Sequence, residues 1–445
     1  MMQLRGLLIA IIALGLLAAG VYWSDRHKTA EEAKDAGGGA SKLIQVASED
    51  VRKLEIQRKD APAILLERDA SKQWQMRAPE TWRVDQETAN AIAESYASLS
   101  YDRVVEEKAS DLSSYGLQTP SVVLTATAKD GKSGKLLIGD ESPTGTGVYG
   151  KLERDPRVFL LGTNVKTAVD KSPFDVRDKR LLVFDTQKST RVELVAKGVP
   201  VEFTRDASKE WQITKPKPLR ANNGQVEDLL QKLGDARMDA SAPDGDPSKI
   251  ASNFAFGTRV ATASVTDPNG TQTLEVRKRG EEYFAKSSSA LGVFKIAQDA
   301  AEGLSKALDD FRNKKLFDFG FVQPSAVSVR DGDKSYVFRK NGEKWTNAAG
   351  KTMDATSLQA LIDKIRDLSA IKFLDTGFTA PAIEIGVTSE DGKRNERVSI
   401  SRTADLYVAR RENEPALYQL DGKAVEELQR AAGDVKEPPP PPAKK

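Results

Sequence analysis

Apolar and polar positions follow three different patterns along the 445 residues. The first is an apolar run without a charge, from Gly6 to Trp23. As a helix it would span roughly 27 Å, enough for a bilayer core, with Tyr22 and Trp23 at the headgroup layer. The second is a helical stripe that recurs three times: Ala89, Ile92, Ala93, Tyr96; Val226, Leu229, Leu230, Leu233; Leu358, Leu361, Ile362, Ile365. Spacing of i, i+3, i+4, i+7 lays one apolar face against a core. The third is a series of short strand-like runs separated by turn residues, which predicts antiparallel hairpins.

These patterns belong to one repeated unit. Lys72-Gln-Trp74, Lys209-Glu-Trp211 and Lys344-Trp345 stand before the three helical stripes. Between each Trp and its stripe lies a helix-capping residue, Asp85, Asn222 or Asp354, at 11, 11 and 9 residues after the Trp. Such side chains accept bonds from the free amides of a helix start. A basic residue, Arg103, Arg237 or Lys372, then enters an apolar stretch. Strand pairs follow around Asp130-Gly131, Asn269-Gly270 and Asp391-Gly392, which predict two-residue turns with both central residues at positive φ. Tyr149, Tyr283 and Tyr407 open one further strand in each copy, and Val158-Phe159, Val293-Phe294 and Leu417-Tyr418 open the next. Arg177-Asp178-Lys179-Arg180-Leu181 matches Arg312-Asn313-Lys314-Lys315-Leu316 and leads from one copy into the following one. The expected class is α+β: an N-terminal transmembrane helix, then three tandem β-rich units with antiparallel sheets and covering helices. The units are placed at 48–188, 189–323 and 324–435. Before them come a cytoplasmic tail (1–5), the anchor (6–23) and a flexible, Gly-rich tether (24–47). A Pro-rich disordered tail closes the chain at 436–445.

Ala18-Ala19-Gly20 offers small residues near a possible signal-peptide cut, but the apolar run exceeds a typical signal core, so an uncleaved anchor is expected. Basic residues on both sides (Arg5; Arg26, Lys28) give little orientation signal. A short positive tail before the first apolar segment resembles an export signal. The bulk is therefore expected in the periplasm or outside the cell, on a single pass through the inner membrane.

Composition mostly excludes. Lys and Arg number 67 against 65 Asp and Glu, with signs interspersed, which gives no basic face for nucleic acid. Cys is absent and His27 is the single histidine, beside the membrane segment. Disulfides, thiolate nucleophiles, Cys zinc sites and His-dependent triads are thereby removed, and His27 reads as a solvated side chain.

Three motifs suggest chemistry and lose it to context. Gly145-Thr-Gly147-Val-Tyr-Gly150, with Asp170 beyond, satisfies the dinucleotide pattern but enters a strand where a helix is needed. Gly131-Lys-Ser-Gly134-Lys135 lies in a hairpin turn without phosphate-loop spacing. Ser369-Ala-Ile-Lys372 has the serine acyl-enzyme spacing, but its Lys is the third copy's version of Arg103 and Arg237, which have no such Ser. The three Trp residues could stack on sugars; core packing is the expectation. The junction cations Arg177, Lys179, Arg180, Arg312, Lys314 and Lys315 could meet anionic lipid or a partner; their place between units makes inter-unit ion pairs or solvent the expectation. No catalytic, cofactor or metal residue is assigned.

The first copy carries Tyr115-Gly116-Leu117 with Pro120, Asp130-Gly131, Ile138-Gly139, Gly147-Val148-Tyr149, Val158-Phe159 and Phe174 to Leu182. This set resembles the bacterial family catalogued as domain of unknown function 4340. Phe254-Ala255-Phe256-Gly257 takes the place of Tyr-Gly-Leu in the second copy, and Gly377-Phe378 with Pro381 in the third. The resemblance implies a single-anchor envelope protein, often encoded beside ABC-type transport components of the gliding-motility sort, with no catalytic residue to carry over. The expected function is a non-enzymatic, membrane-anchored scaffold or accessory of an ABC-type transport complex. Its partners would be the membrane and transporter subunits, with no nucleic acid and no small-molecule substrate. The alternative is a module that binds an envelope polymer or glycan.

Overall fold

The computed structural model describes residues 41–240, 246–403 and 406–439. The expected cytoplasmic tail, anchor and His27 lie outside them, as do most of the tether and the end of the Pro-rich tail. Among the described residues no helix is long and apolar enough to cross a membrane.

Three eight-stranded antiparallel sheets carry the fold. In the first, Val51–Arg58 pairs on one side with Ile64–Arg68, which carries Trp74–Ala78. On the other side it pairs with Val122–Ala128, and the sheet continues through Ser133–Glu141 and Val148–Leu152 to Val158–Leu161. Arg103–Glu106 closes the far edge. The third sheet repeats this order, from Lys344–Asn347 at one edge to Ala370–Leu374 at the other. The second differs only at its edges. Leu219–Arg220 is added beside Trp211–Lys215, and the closing strand shrinks to one bond from Asp239 N to Lys295 O (2.8 Å). Arg103 and Lys372 thus stand on edge strands, exposed, where a charge discourages pairing with another chain.

The helices sit where the stripes place them: Gln86–Ala97, Asn223–Asp235 and Ala355–Asp367, capped by Asp85, Asn222 and Asp354. All twelve stripe residues are buried against their sheets.

The expected two-residue turns differ in geometry. Gly131 is at φ 81°, while Asp130 keeps an ordinary φ. In the second copy Asp267 pairs with Gly270, so Pro268 and Asn269 form the turn; proline fixes φ near −65° and cannot take a left-handed place. In the third copy Glu390 and Gly392 carry the positive φ, on either side of Asp391.

Three sheets make two compact units, Met1–Lys179 and Arg180–Lys445. The boundary expected at 188 falls earlier because the next residues belong to the second sheet. Leu181 N donates to Ala236 O (2.9 Å) and Val183 N to Gln272 Oε1 (2.8 Å). The tether also ends before 47. Ser41–Lys42 pairs with Ser100–Tyr101, and Leu43, Ile44 and Val46 pack on the first core. Near the other terminus Asp354 N donates to Lys436 O (2.8 Å), which ties the start of the expected disordered tail to the third copy.

Glu202 illustrates how charges serve the sheets. Its carboxylate accepts from Lys215 Nζ at 2.9 Å and from Thr214 Oγ1 at 2.9 Å, and pairs with Arg191. Hydrogen bonding to Lys215, then Arg191 and Thr214, holds its pKa at about 2, below the ordinary 4.5. A depressed carboxylate adds stability above its unfolded pKa that is lost as pH falls through the folded one. Glu202→Gln should therefore flatten the acid limb of the stability curve between pH 4.5 and about 2. Thermal melts across that window test this, and a variant with the wild-type slope would refute it.

Candidate functional site

The residues that repeat are bound into the fold. Trp74 and Trp211 are 1 % exposed and Trp345 7 %, which removes them as platforms for a sugar. Trp74 Nε1 donates to Asn90 Oδ1 (2.9 Å) and Trp211 Nε1 to Glu227 Oε1 (2.7 Å), from the stripe helices. Arg68 and Arg205 lie over these two rings at 4.6 and 4.7 Å. Both arginines stand six residues before their Trp, as Arg339 does in the third copy, a signal the sequence reading passed over.

Motif residues of the first copy interlock. Gly116 ends the short 3-10 turn Ser113–Tyr115 at φ 65°, against Asp140. A Cβ at Gly139 would lie 2.0 Å from the Tyr115 carbonyl oxygen. The Tyr115 ring meets Tyr149 edge-on at 5.0 Å, and its hydroxyl donates to Glu106 Oε2 at 2.8 Å. That bond raises the phenol pKa. Aromatics in the corresponding segments of the other copies face guanidinium groups: Arg277 over Phe254 (4.8 Å) and Arg410 over Phe378 (4.5 Å). Backbone cannot yield as a side-chain end can, so Gly139→Ala should cost about 3 kcal/mol. Urea unfolding of the first unit measures it, and a loss under about 0.5 kcal/mol would disprove the close contact.

The three suspect motifs are structural. Gly147 and Gly150 sit on the turn and strand beside Leu161, where a Cβ would lie 2.5 Å from its carbonyl oxygen and 2.2 Å from its Cδ1. Asp170 pairs with Arg58 at 2.8 Å. Gly131 to Lys135 lie in the turn and strand of the hairpin that joins Val122–Ala128 to Ser133–Glu141. Ser369 donates its hydroxyl to Asp367 O (3.2 Å) and bridges Lys315 through its backbone. Among the described residues no group of three or more His, Cys, Asp or Glu is placed to hold a metal ion.

The junction between the second and third copies, inside the second unit, gathers charge. Ala221 bridges Arg312 and Ser369 bridges Lys315, so the segment straps one copy to the next. Leu316, Phe317 and Phe319 follow, all buried. Arg220, 16 % exposed, pairs with Asp318 (2.7 Å) and Glu414 (2.8 Å) and donates to the Tyr418 hydroxyl (3.1 Å). Arg411, 13 % exposed, reaches Asp318 (2.9 Å), Glu414 (3.0 Å) and Glu396 (3.2 Å). Burial pushes the Glu396 pKa up, against the Asp318 amide and Arg411, which favour the carboxylate. Its Oε2 has no partner among the described residues. Burial likewise raises the Tyr418 phenol. Of the two fates expected for these junction cations, solvent holds for Lys314 and Lys315, and the ion pairs that cross between the copies are made by Arg220 and Arg411 instead. Arg312 pairs locally with Asp309 (3.0 Å) and stacks over Phe373 (3.4 Å), while Lys314 and Lys315 stay exposed. The available signal was Arg83 and Arg220, which occupy the same place in successive copies, two residues before each cap. In the first unit Arg83 faces Asp178 at 3.6 Å.

Beside this cluster the strap lines an open pocket of about 430 Å³, formed by Asn222, Gln225, Lys306, Asp310 and residues 312 to 315. Lys306, Arg312, Lys314 and Lys315 line it against the single carboxylate of Asp310. The family model described as a domain of unknown function (DUF4340) matches residues 74–251 and again 211–384. Each match begins at a repeated tryptophan. No curated protein and no solved structure matches the chain.

Proposed function

The chain belongs to the DUF4340 family of domains of unknown function, and from that premise we propose that it is a non-enzymatic, membrane-anchored scaffold or accessory of an ABC-type transport complex. Its apolar segment 6–23 serves as the anchor, and the three repeats stand outside the cytoplasm. The observation that carries this reading is the buried junction around Arg220 and Arg411. A scaffold must hold position, and a joint made of two guanidinium groups shared among three carboxylates fixes one repeat on the next with directional contacts. The three repeated Trp residues, Arg68, Arg205 and the capping residues are likewise engaged within the fold, which suits a protein that works through its surface.

Crosslinking of the full-length protein in native membranes, with a variant lacking residues 6–23 as control, tests the proposal. Transporter permease subunits recovered only with the anchored chain are the expected result. Recovery of envelope polymer alone would replace it with the polymer-binding reading, in which the exposed Phe256 and Phe321 are the aromatics available.

A further inference from the structure

We infer that the pocket between the Asn222 helix start and the strap 312–315 binds a phosphate group, through Lys314 and Lys315. Four cations and one carboxylate line it, and their engagements differ. Lys306 is held by Asp228 (2.8 Å) and Gln225 Oε1 (2.9 Å). Arg312 is held by Asp309 and the Phe373 ring. The Asp310 carboxylate accepts from Ala307 N at 2.7 Å. Lys314 and Lys315 are exposed, and no ion pair joins either ammonium to a carboxylate among the described residues.

The matching strap of the first unit shows the contrast. Lys179, at the place of Lys314, folds back to donate to the carbonyls of Asp175 (3.1 Å) and Arg177 (3.4 Å) and lies over Phe174 at 5.0 Å. Asp178, which faces Arg83, stands where the second strap has the neutral Asn313. The same segment thus folds its lysine back onto its own carbonyls in one copy and leaves it exposed, in a concavity, in the next.

The walls supply donors to match. Gln225 uses its amide oxygen on Lys306 and Asn222 uses its own on Gln225 N (3.3 Å), which leaves the NH2 end of each amide for a ligand. Lysine recognises phosphate as a point charge, and a phosphate ester offers more acceptor oxygens to two ammonium groups and two amides than a planar carboxylate does. A pocket of about 430 Å³ has room for such a head. The phosphate could be a lipid headgroup or a soluble ester, and the two are separable.

The test is isothermal titration calorimetry on the full-length protein in a non-ionic detergent. The probes are inorganic phosphate and glycerophosphoglycerol, the headgroup of phosphatidylglycerol freed of its tails, with acetate as the carboxylate control. Saturable binding with Kd near or below about 1 mM is expected for one of the phosphates, weakened at least about tenfold in K314E/K315E. The equal charge change K334E/K344E on the third sheet should leave it unaltered. Tighter binding of the headgroup supports the proposal with a membrane source, and tighter binding of inorganic phosphate supports it with a soluble one. No saturable heat up to about 10 mM, acetate binding as tightly, or equal loss in both double variants overturns it. All four lysines are exposed, so folding is not at stake.

Discussion

Replacing Arg411 with methionine is expected to destabilise the second unit by about 3 to 5 kcal/mol and to make the third copy unfold ahead of the second. The guanidinium touches Asp318, Glu396 and Glu414 at once and also donates to the Leu316 carbonyl at 3.1 Å. Asp318 belongs to the strap from the second copy, whereas Glu396 and Glu414 belong to the third. Removing the cation leaves those carboxylates largely buried with too little positive charge, and a broken buried pair costs far more than an exposed one. Urea unfolding followed by hydrogen exchange measures both effects: amides of Val398–Ile400 should lose protection before those of Leu274–Val276. A single transition at the wild-type midpoint would refute the ionic joint. Arg330→Ala is the control, because its pair with Glu384 is 68 % and 49 % exposed and should change stability by less than about 0.5 kcal/mol.

The pH dependence of that variant adds a second readout. Glu396 has its pKa raised by burial, so its contribution to stability is greatest when protonated and falls as pH rises through the folded value. Losing Arg411 raises it further. The deficit of R411M should accordingly shrink as pH is lowered, which a simple packing defect would not do.

Trp211→Ala should cost about 3 to 5 kcal/mol, the range for deleting a large core aromatic. The ring is 1 % exposed and carries two polar attachments, with a third on the backbone of the residue. Its indole donates to Glu227, Arg205 lies on its face, and its backbone N–H donates to Asn223 Oδ1 at 2.6 Å. Trp211→Phe should cost about half as much, since it keeps most of the apolar volume and loses the bond to Glu227, which Arg205 still neutralises at 2.5 Å. Urea denaturation of both variants gives the comparison. Equal losses would mean the hydrogen bond, not the packing, holds the strand to the helix.

Much of the architecture was legible before any coordinate, for a local reason. Helix caps, stripes and strand alternation are set by residues a few positions apart, and triplication let each landmark be checked twice. Even so, the hairpin chemistry was misread at Pro268, where the true turn lies one residue earlier than Asn269-Gly270 suggests. The candidate site was less legible. Arg220 and Arg411 look like ordinary solvated charges, and the residues they meet are up to 198 positions away in the chain. Lys314 and Lys315 stand out as junction cations, but the one change of type beside them, Asp178 to Asn313, does not by itself say that Lys179 folds back on its strap while they stay exposed.

The sequence by itself determined that the chain is built of three α+β repeats behind an apolar segment, because periodicity and capping are short-range properties of the residues themselves. Only the tertiary structure decided that the second and third copies form one unit, which charges are buried and which remain free. Those outcomes depend on desolvation and on distances across the fold, and no spacing along the chain encodes either.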